Sequence, residues 1–312
     1  MWRTVLLALS ANPAVRQLVT RSGVGRRTAL RFVAGETIDR AIAAARDLSL
    51  RGASIELDYL GEHVVDERQT SQVVSTYLDI LDRIASAGIP AQVSLKPSQM
   101  GQELGDELSY ENLRSVVEKA ASHRNFVWID MEGSAYTERT IQLYRRLRAR
   151  HDNVGIALQA YLYRTRADVE SLIAIGGTVR LCKGAYSEPS DVAFPHKREV
   201  DRNFKLLTEV LLSSRQYHAI ATHDERMIRH AIEFARAEGV DARRFEFQML
   251  YGIRRDLQAQ LLRDGYNLRV YVPYGEQWYP YLMRRLAERP ANLLFLVRNV
   301  VAEARSGAPQ GI

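Results

Sequence analysis

The sequence contains one cysteine in 312 residues, Cys182, so no intramolecular disulfide can staple the fold, which fits a reducing compartment. Its neighbours read as a buried strand, with a structural rather than a reactive thiol. Long apolar runs are also missing: near the N-terminus the longest is Val5 to Leu9, far short of the roughly 20 residues that a spanning helix needs. A soluble globular protein that does not cross a membrane is expected. Acidic residues are absent from the first 35 positions, which carry Arg3, Arg16, Arg21, Arg26, Arg27 and Arg31. Such a bias marks a transit peptide, a basic surface arm or helices packed on the domain. No low-complexity linker divides the chain. No zinc-finger, RRM or helix-turn-helix signature is present to give the net charge of +6 a nucleic-acid partner. Gly23-Val24-Gly25 lacks the preceding strand and third glycine of a dinucleotide-binding turn.

What is present is a large apolar fraction, 46% against 26% charged, enough to bury one substantial core. Short β-branched or aromatic runs fall near residues 54–58, 91–96, 126–131, 154–160, 178–183, 218–223, 244–248 and 268–272. Amphipathic helical patterns lie between them at 67–87, 111–122, 137–150, 166–175, 198–213, 225–237 and 254–263. Strict β/α alternation implies parallel strands joined by crossovers. Eight such units in a chain of this length predict an α/β fold, a (β/α)8 TIM-type barrel, which typically needs about 250 residues. The expected division is an N-terminal helical arm at 1–45 and a catalytic barrel at 46–312. Segments 97–109 and 187–195 read as loops after strands two and five.

Active sites of such barrels form at the C-terminal ends of the strands, and the residues there are polar. Strand two ends in Lys96, strand three carries Asp130, strand four Gln159, strand five Arg180 and Lys183, strand six His223, strand seven Gln248 and strand eight Tyr271. Barrel interiors are normally filled by bulky aliphatics, so this set points to a polar ligand with an apolar portion. Beyond strand eight, Tyr281, Arg284, Arg285 and Glu288 share one helical face by their i, i+3, i+4 and i+7 spacing. Two guanidinium groups on one face suit a small carboxylic acid. A surface ion-pair stripe with Glu288 is the alternative.

The run Arg180-Leu181-Cys182-Lys183-Gly184-Ala185-Tyr186, together with Tyr281, Arg284, Arg285 and Glu288, resembles the paired signature of proline dehydrogenases. Leu60-Gly61-Glu62, Ser94-Leu95-Lys96, Ile129-Asp130, Leu158-Gln159-Ala160-Tyr161, Ala221-Thr222-His223 and Phe247-Gln248-Met249-Leu250-Tyr251-Gly252 follow in that family's order. The resemblance spans about residues 50–295, and the length resembles the monofunctional bacterial form. It implies FAD bound without a Rossmann motif, and oxidation of L-proline to 1-pyrroline-5-carboxylate by hydride transfer to flavin N5. Arg284, Arg285 and Lys96 would then hold the proline carboxylate. Tyr271, Tyr186 and Leu250 would pack on the ring, and Asp130 would orient Tyr271 or Lys96. Arg180 would face the isoalloxazine as a fixed positive charge. Gln159, Lys183, Gly184, Thr222, His223 and Gln248 would contact the rest of FAD, and Glu62 would pair with Arg285 over bound substrate. The implied electron acceptor is a membrane quinone. That would place a cytoplasmic enzyme at the inner face of the membrane, with the basic arm against an anionic bilayer.

Two other readings compete. Lys96 or Lys183 would form a Schiff base with a carbonyl substrate, as barrel aldolases do. The arginine-rich arm of a non-enzymatic barrel would bind nucleic acid. His223 and Asp224 lack a third ligand at metal-binding spacing, so no metal is expected. No side chain stands out as the base for the substrate amine, which leaves that role to solvent.

Overall fold

The structure is a computed structural model that describes residues 13–61 and 64–287. The described residues begin with α1 (Pro13–Arg21), α2 (Gly23–Ala29) and α3 (Ile38–Leu50). Local caps fix their starts: the Ser22 hydroxyl accepts from Gly25 N at 3.1 Å, and Thr37 caps α3 through Arg40 N at 3.5 Å. The arm is docked through backbone. A Cβ on Gly252 would lie 1.7 Å from the carbonyl oxygen of Arg31, and Gly252 has φ of +75°. Only glycine allows both that conformation and that approach.

Eight strands follow: β1 (Ser54–Tyr59), β2 (Ala91–Leu95), β3 (Val127–Ile129), β4 (Val154–Gln159), β5 (Thr178–Cys182), β6 (His218–Ala221), β7 (Phe245–Leu250) and β8 (Leu268–Tyr274). Each pairs in parallel with the next, and β1 pairs with β8 from Ser54↔Arg269 to Tyr59↔Tyr274, closing the barrel. The intervening helices are α4 (Glu67–Ala87), α5 (Asp106–Ser122), α6 (Ser134–Arg148), α7 (Thr165–Ala174), α8 (Lys197–Ser213), α9 (Glu225–Ala237) and α10 (Arg255–Arg263). The expected barrel is therefore observed. Helix α4 shows how the sequence sets an element. Asp66 caps its first turn by accepting from Gln69 N at 2.7 Å, and Gly88 ends it in the left-handed region. Its buried stripe of Tyr77, Ile80, Leu81 and Ile84 faces the strands, each side chain contributing roughly 1.5–3 kcal/mol.

Strand residues alternate. Ile55, Leu57, Val93, Leu95, Val127, Ile129, Val154 and Ile156 belong to the apolar layer under the helices. The alternate positions, among them Glu56, Ser94, Asp130, Arg180, Glu246, Gln248 and Arg269, bond to one another across the barrel centre.

The helix after β8, α11 (Trp278–Ala287), packs with Val19, Ala29, Phe32, Val33 and Leu60. Helix α3 lies against both β1 and β8, and residues 45 and 46, where the arm was expected to meet the barrel, fall inside this helix.

Two expectations need correction. Segment 97–109 is not wholly loop: α5 starts at Asp106, with acidic residues Asp106 and Glu107 in its first turn, where they complement the helix dipole. Cys182 ends β5 as expected but is only half-buried, because its side chain lines a cavity at the barrel mouth instead of the sealed core.

Candidate active site

A cavity of about 450 Å³ opens at the C-terminal ends of the strands. Every described residue expected at the site lines it: Lys96, Asp130, Tyr186, Leu250, Tyr271, Arg284 and Arg285, together with Gln159, Arg180, Lys183, Gly184, Thr222, His223 and Gln248. Tyr281 joins them from α11. Glu62 and Glu288 lie outside the described residues. A larger hollow of about 580 Å³ lies outside the barrel between α3 and α10 and receives none of the expected site residues.

One wall is an ion network. Lys96 Nζ donates to Asp58 Oδ1 at 3.1 Å and stands 3.7 Å from Asp130 Oδ2. The Tyr271 hydroxyl donates to the same Asp130 oxygen at 3.0 Å, so one carboxylate orients both Tyr271 and Lys96. Arg180 donates to Asp130 and to Glu56, and also to Ser94 Oγ at 3.1 Å and Gln248 Oε1 at 3.3 Å. Its guanidinium lies 5.1 Å from the Trp128 ring centroid and 5.7 Å from that of Tyr271, within cation–π range. Burial opposes the charge on Arg180, but Glu56 and Asp130 outweigh it and hold its pKa above the ordinary guanidinium value. Burial pushes Tyr271 well above the usual phenol range, with Asp130 adding to it, so the hydroxyl remains a donor at neutral pH.

The other wall carries imidazole, amide, hydroxyl and ammonium groups held by their neighbours. His223 Nε2 accepts from Leu250 N at 2.8 Å, which puts its proton on Nδ1 and fixes the Leu250 backbone. Gln159 Nε2 donates to the carbonyl of Glu132 at 2.7 Å, and Thr222 Oγ1 accepts from Asp224 N at 3.1 Å. Lys183 Nζ bridges Asp201 and Asp224, the latter at 2.9 Å. Burial would raise the Asp224 pKa, but its bonds from Arg226 and Lys183 hold it well below the usual carboxylate range. Gly184 has φ of +118°, and a Cβ there would meet the Tyr161 ring at 2.4 Å, so no other residue fits this turn. Burial raises the Cys182 thiol to about 11, which keeps it protonated and a poor nucleophile at neutral pH.

The Schiff-base reading fares poorly in this geometry. Both Lys96 and Lys183 are ion-paired with carboxylates, whereas that chemistry needs a neutral amine. Among the described residues, no group of three or more His, Cys, Asp or Glu is arranged to hold a metal.

The family model described as proline dehydrogenase matches residues 41–298. The chain belongs to the proline dehydrogenase family. It is 38% identical to proline dehydrogenase 1 of Bacillus subtilis (strain 168) over 301 residues, which cover 96% of this chain and 99% of that protein. The proline dehydrogenase of Deinococcus radiodurans is 39% identical over 306 residues, covering 96% and 98%. A crystal structure of proline utilization A from Bdellovibrio bacteriovorus superposes with a TM-score of 0.81 at 24% identity, covering 92% of this chain and 36% of that one. It shares the barrel fold of this proline dehydrogenase.

Sequence reading missed Asp58 and Glu56, the carboxylates that hold Lys96 and Arg180. The signal was in β1, where Glu56 and Asp58 alternate with Ile55 and Leu57. Two acids on the non-core face of a buried barrel strand must point into its centre.

Proposed function

We propose that the mouth cavity binds L-proline by its carboxylate, with FAD beside it, and that the enzyme oxidises proline to 1-pyrroline-5-carboxylate. As a proline dehydrogenase it acts in proline catabolism. The observation that carries the reading is that α11 brings Arg284 and Arg285 to the cavity that Lys96 lines from the end of β2. Three cations around one carboxylate fix the orientation of a small amino acid. Tyr186, Tyr271 and Leu250 offer the ring an apolar bed and exclude water from it, while Asp130 keeps Tyr271 and Lys96 in place.

The residues present suit FAD. The cavity is larger than a single proline requires, and it offers amide and hydroxyl donors from Gln159, Gln248 and Thr222 beside the cations Arg180 and Lys183. Gly184 forms an exposed turn just beyond the end of β5, seated against the Tyr161 ring at the rim of the cavity. When bound, FAD supplies the two-electron acceptor for the hydride, taken at N5 in this reading. Arg180, held rigidly by its four acceptors, would lie against the isoalloxazine, and Gln159, Lys183, Gly184, Thr222, His223 and Gln248 would hold the remainder.

Electrons would leave to a membrane quinone, with the enzyme on the inner face of the cytoplasmic membrane. Among the described residues no helix is long and apolar enough to cross a membrane, so contact would be peripheral, with the basic arm facing anionic lipid.

The test is the visible spectrum of the purified protein, followed by L-proline without oxygen. Bleaching of a flavin band by proline and not by other amino acids is expected. A protein that stays colourless after FAD is supplied overturns the reading.

A further inference from the structure

Arg180 was expected to face the flavin as a fixed positive charge. Its surroundings hold it fixed and also set carboxylates against that charge. Asp130 reaches the guanidinium from β3, and Glu56, fully buried on β1, reaches it from the opposite side of the barrel. One cation thus faces two carboxylates. The guanidinium cannot swing away to expose its charge, since Ser94 and Gln248 also bind it and the rings of Trp128 and Tyr271 stand beside it.

Glu56 is an unusual choice for a purely structural clamp. Its Oε1 accepts from Arg180, while its Oε2 is buried without a hydrogen-bond partner among the described residues. Burying a half-satisfied carboxylate is unfavourable, and a neutral acceptor would hold the same guanidinium proton. Gln248 does so from β7. What Glu56 adds over a glutamine is the capacity for negative charge, which burial opposes by raising its pKa and which Arg180 and, more weakly, Arg269 favour. A charge there is fully buried beneath the cavity, where an electrostatic effect is weakly screened.

We propose that Glu56 is a positioning residue that holds Arg180 from below and offsets its charge, making the bound flavin a weaker oxidant than Arg180 alone would make it. The proposal rests on the FAD reading above. Reduction by hydride leaves the flavin with additional negative charge. A second carboxylate on Arg180 disfavours that product, so the electrons are held less tightly and pass on to the acceptor more readily. Glu56 does not line the cavity, so it has no contact through which to alter proline binding directly.

The experiment is an anaerobic redox titration of the purified flavoprotein, comparing wild type with Glu56→Gln and Glu56→Asp. The amide oxygen of glutamine still accepts from Arg180, so position is kept and charge removed. Glu56→Gln is expected to shift the reduction equilibrium about tenfold toward the reduced form, roughly 30 mV for a two-electron couple, with KM for proline within about twofold. Glu56→Asp withdraws the carboxylate by one methylene and should move the potential the same way by a smaller factor. Unchanged or lowered potentials in both variants overturn the proposal. If Glu56→Gln fails to fold, an unchanged potential in Glu56→Asp overturns it alone. A wild-type protein that takes up no flavin overturns the cofactor reading instead, which keeps the two failures apart.

Discussion

The two ends of the barrel interior use the same residue types to opposite purposes. At the base, Arg269 donates to both oxygens of Glu246 at 2.8 and 2.9 Å and to the carbonyl of Ile55 at 3.0 Å. The Tyr217 hydroxyl and the Gln248 amide nitrogen donate to the same two Glu246 oxygens, and the pair is nearly sealed from solvent. At the mouth, Asp58, Lys96, Asp130 and Arg180 are also paired, but they line a cavity that Arg284 and Arg285 border from above. A closed, saturated pair specifies the fold. An open network that borders a cavity stays accessible to a ligand. The difference is therefore one of access rather than composition, and a charge in a barrel strand takes its meaning from the end it occupies.

The strongest way to break this contrast is at the base. Arg269→Met leaves Glu246 buried without its cation and should cost about 3–5 kcal/mol in denaturant unfolding, while folded protein keeps its KM for proline. Normal stability would show that the base pair is dispensable. A second base-end feature is His218, whose Nδ1 accepts from Val179 N at 3.1 Å and whose Nε2 meets Ser214 Oγ at 2.7 Å. Burial lowers its pKa to about 4. The native state resists the proton that the unfolded chain accepts below about pH 6.5, so this stabilisation is full above that pH and is lost as pH falls toward 4. The loss should approach about 3 kcal/mol, and His218→Asn should flatten that part of the stability profile. An unaltered profile would dismiss His218 as its source.

At the mouth the effects should appear in kinetics. Arg284→Ala should lower kcat/KM for proline by about 10- to 100-fold, chiefly through KM, as for one charge-assisted hydrogen bond. An unchanged KM would remove Arg284 from the carboxylate site. Smallest is Tyr271→Phe, which deletes one bond to Asp130. It should reduce kcat/KM by about fivefold, with the denaturation midpoint nearly unmoved. A large drop in stability there would mean that the mouth, too, is a structural clamp.

Much of this was legible before the structure. Helices α4 and α9 begin and end where their amphipathic patterns do, because the apolar stripe and capping residues are local signals. The mouth was legible because barrel topology assigns strand ends to the site, and the paired arginine motif independently called for a carboxylate. What was not legible depends on partners distant in sequence. Glu56 and Arg180 are 124 positions apart, and Tyr271 and Asp130 are 141 apart. Nothing within β1 names the cation its acids will meet. The start of α5 was hidden for a local reason, since Gly101 and Gly105 read as loop while the acids after Gly105 open a helix.

The seam between β1 and β8 bears on how the chain comes together during synthesis. Arg269 meets Ile55 across 214 positions, so the ring cannot close until nearly the whole described chain has emerged. Helix α3 has by then been made, and it covers both strands of the seam. The first-made part of the barrel thus waits with an uncovered apolar flank for the last-made strand. Such long-range closure is slow, and while it is pending the exposed edge of β1 is the place where a second nascent chain could pair by mistake. Crowded expression at high temperature should therefore lower the yield of soluble enzyme before it impairs the activity of molecules that have closed.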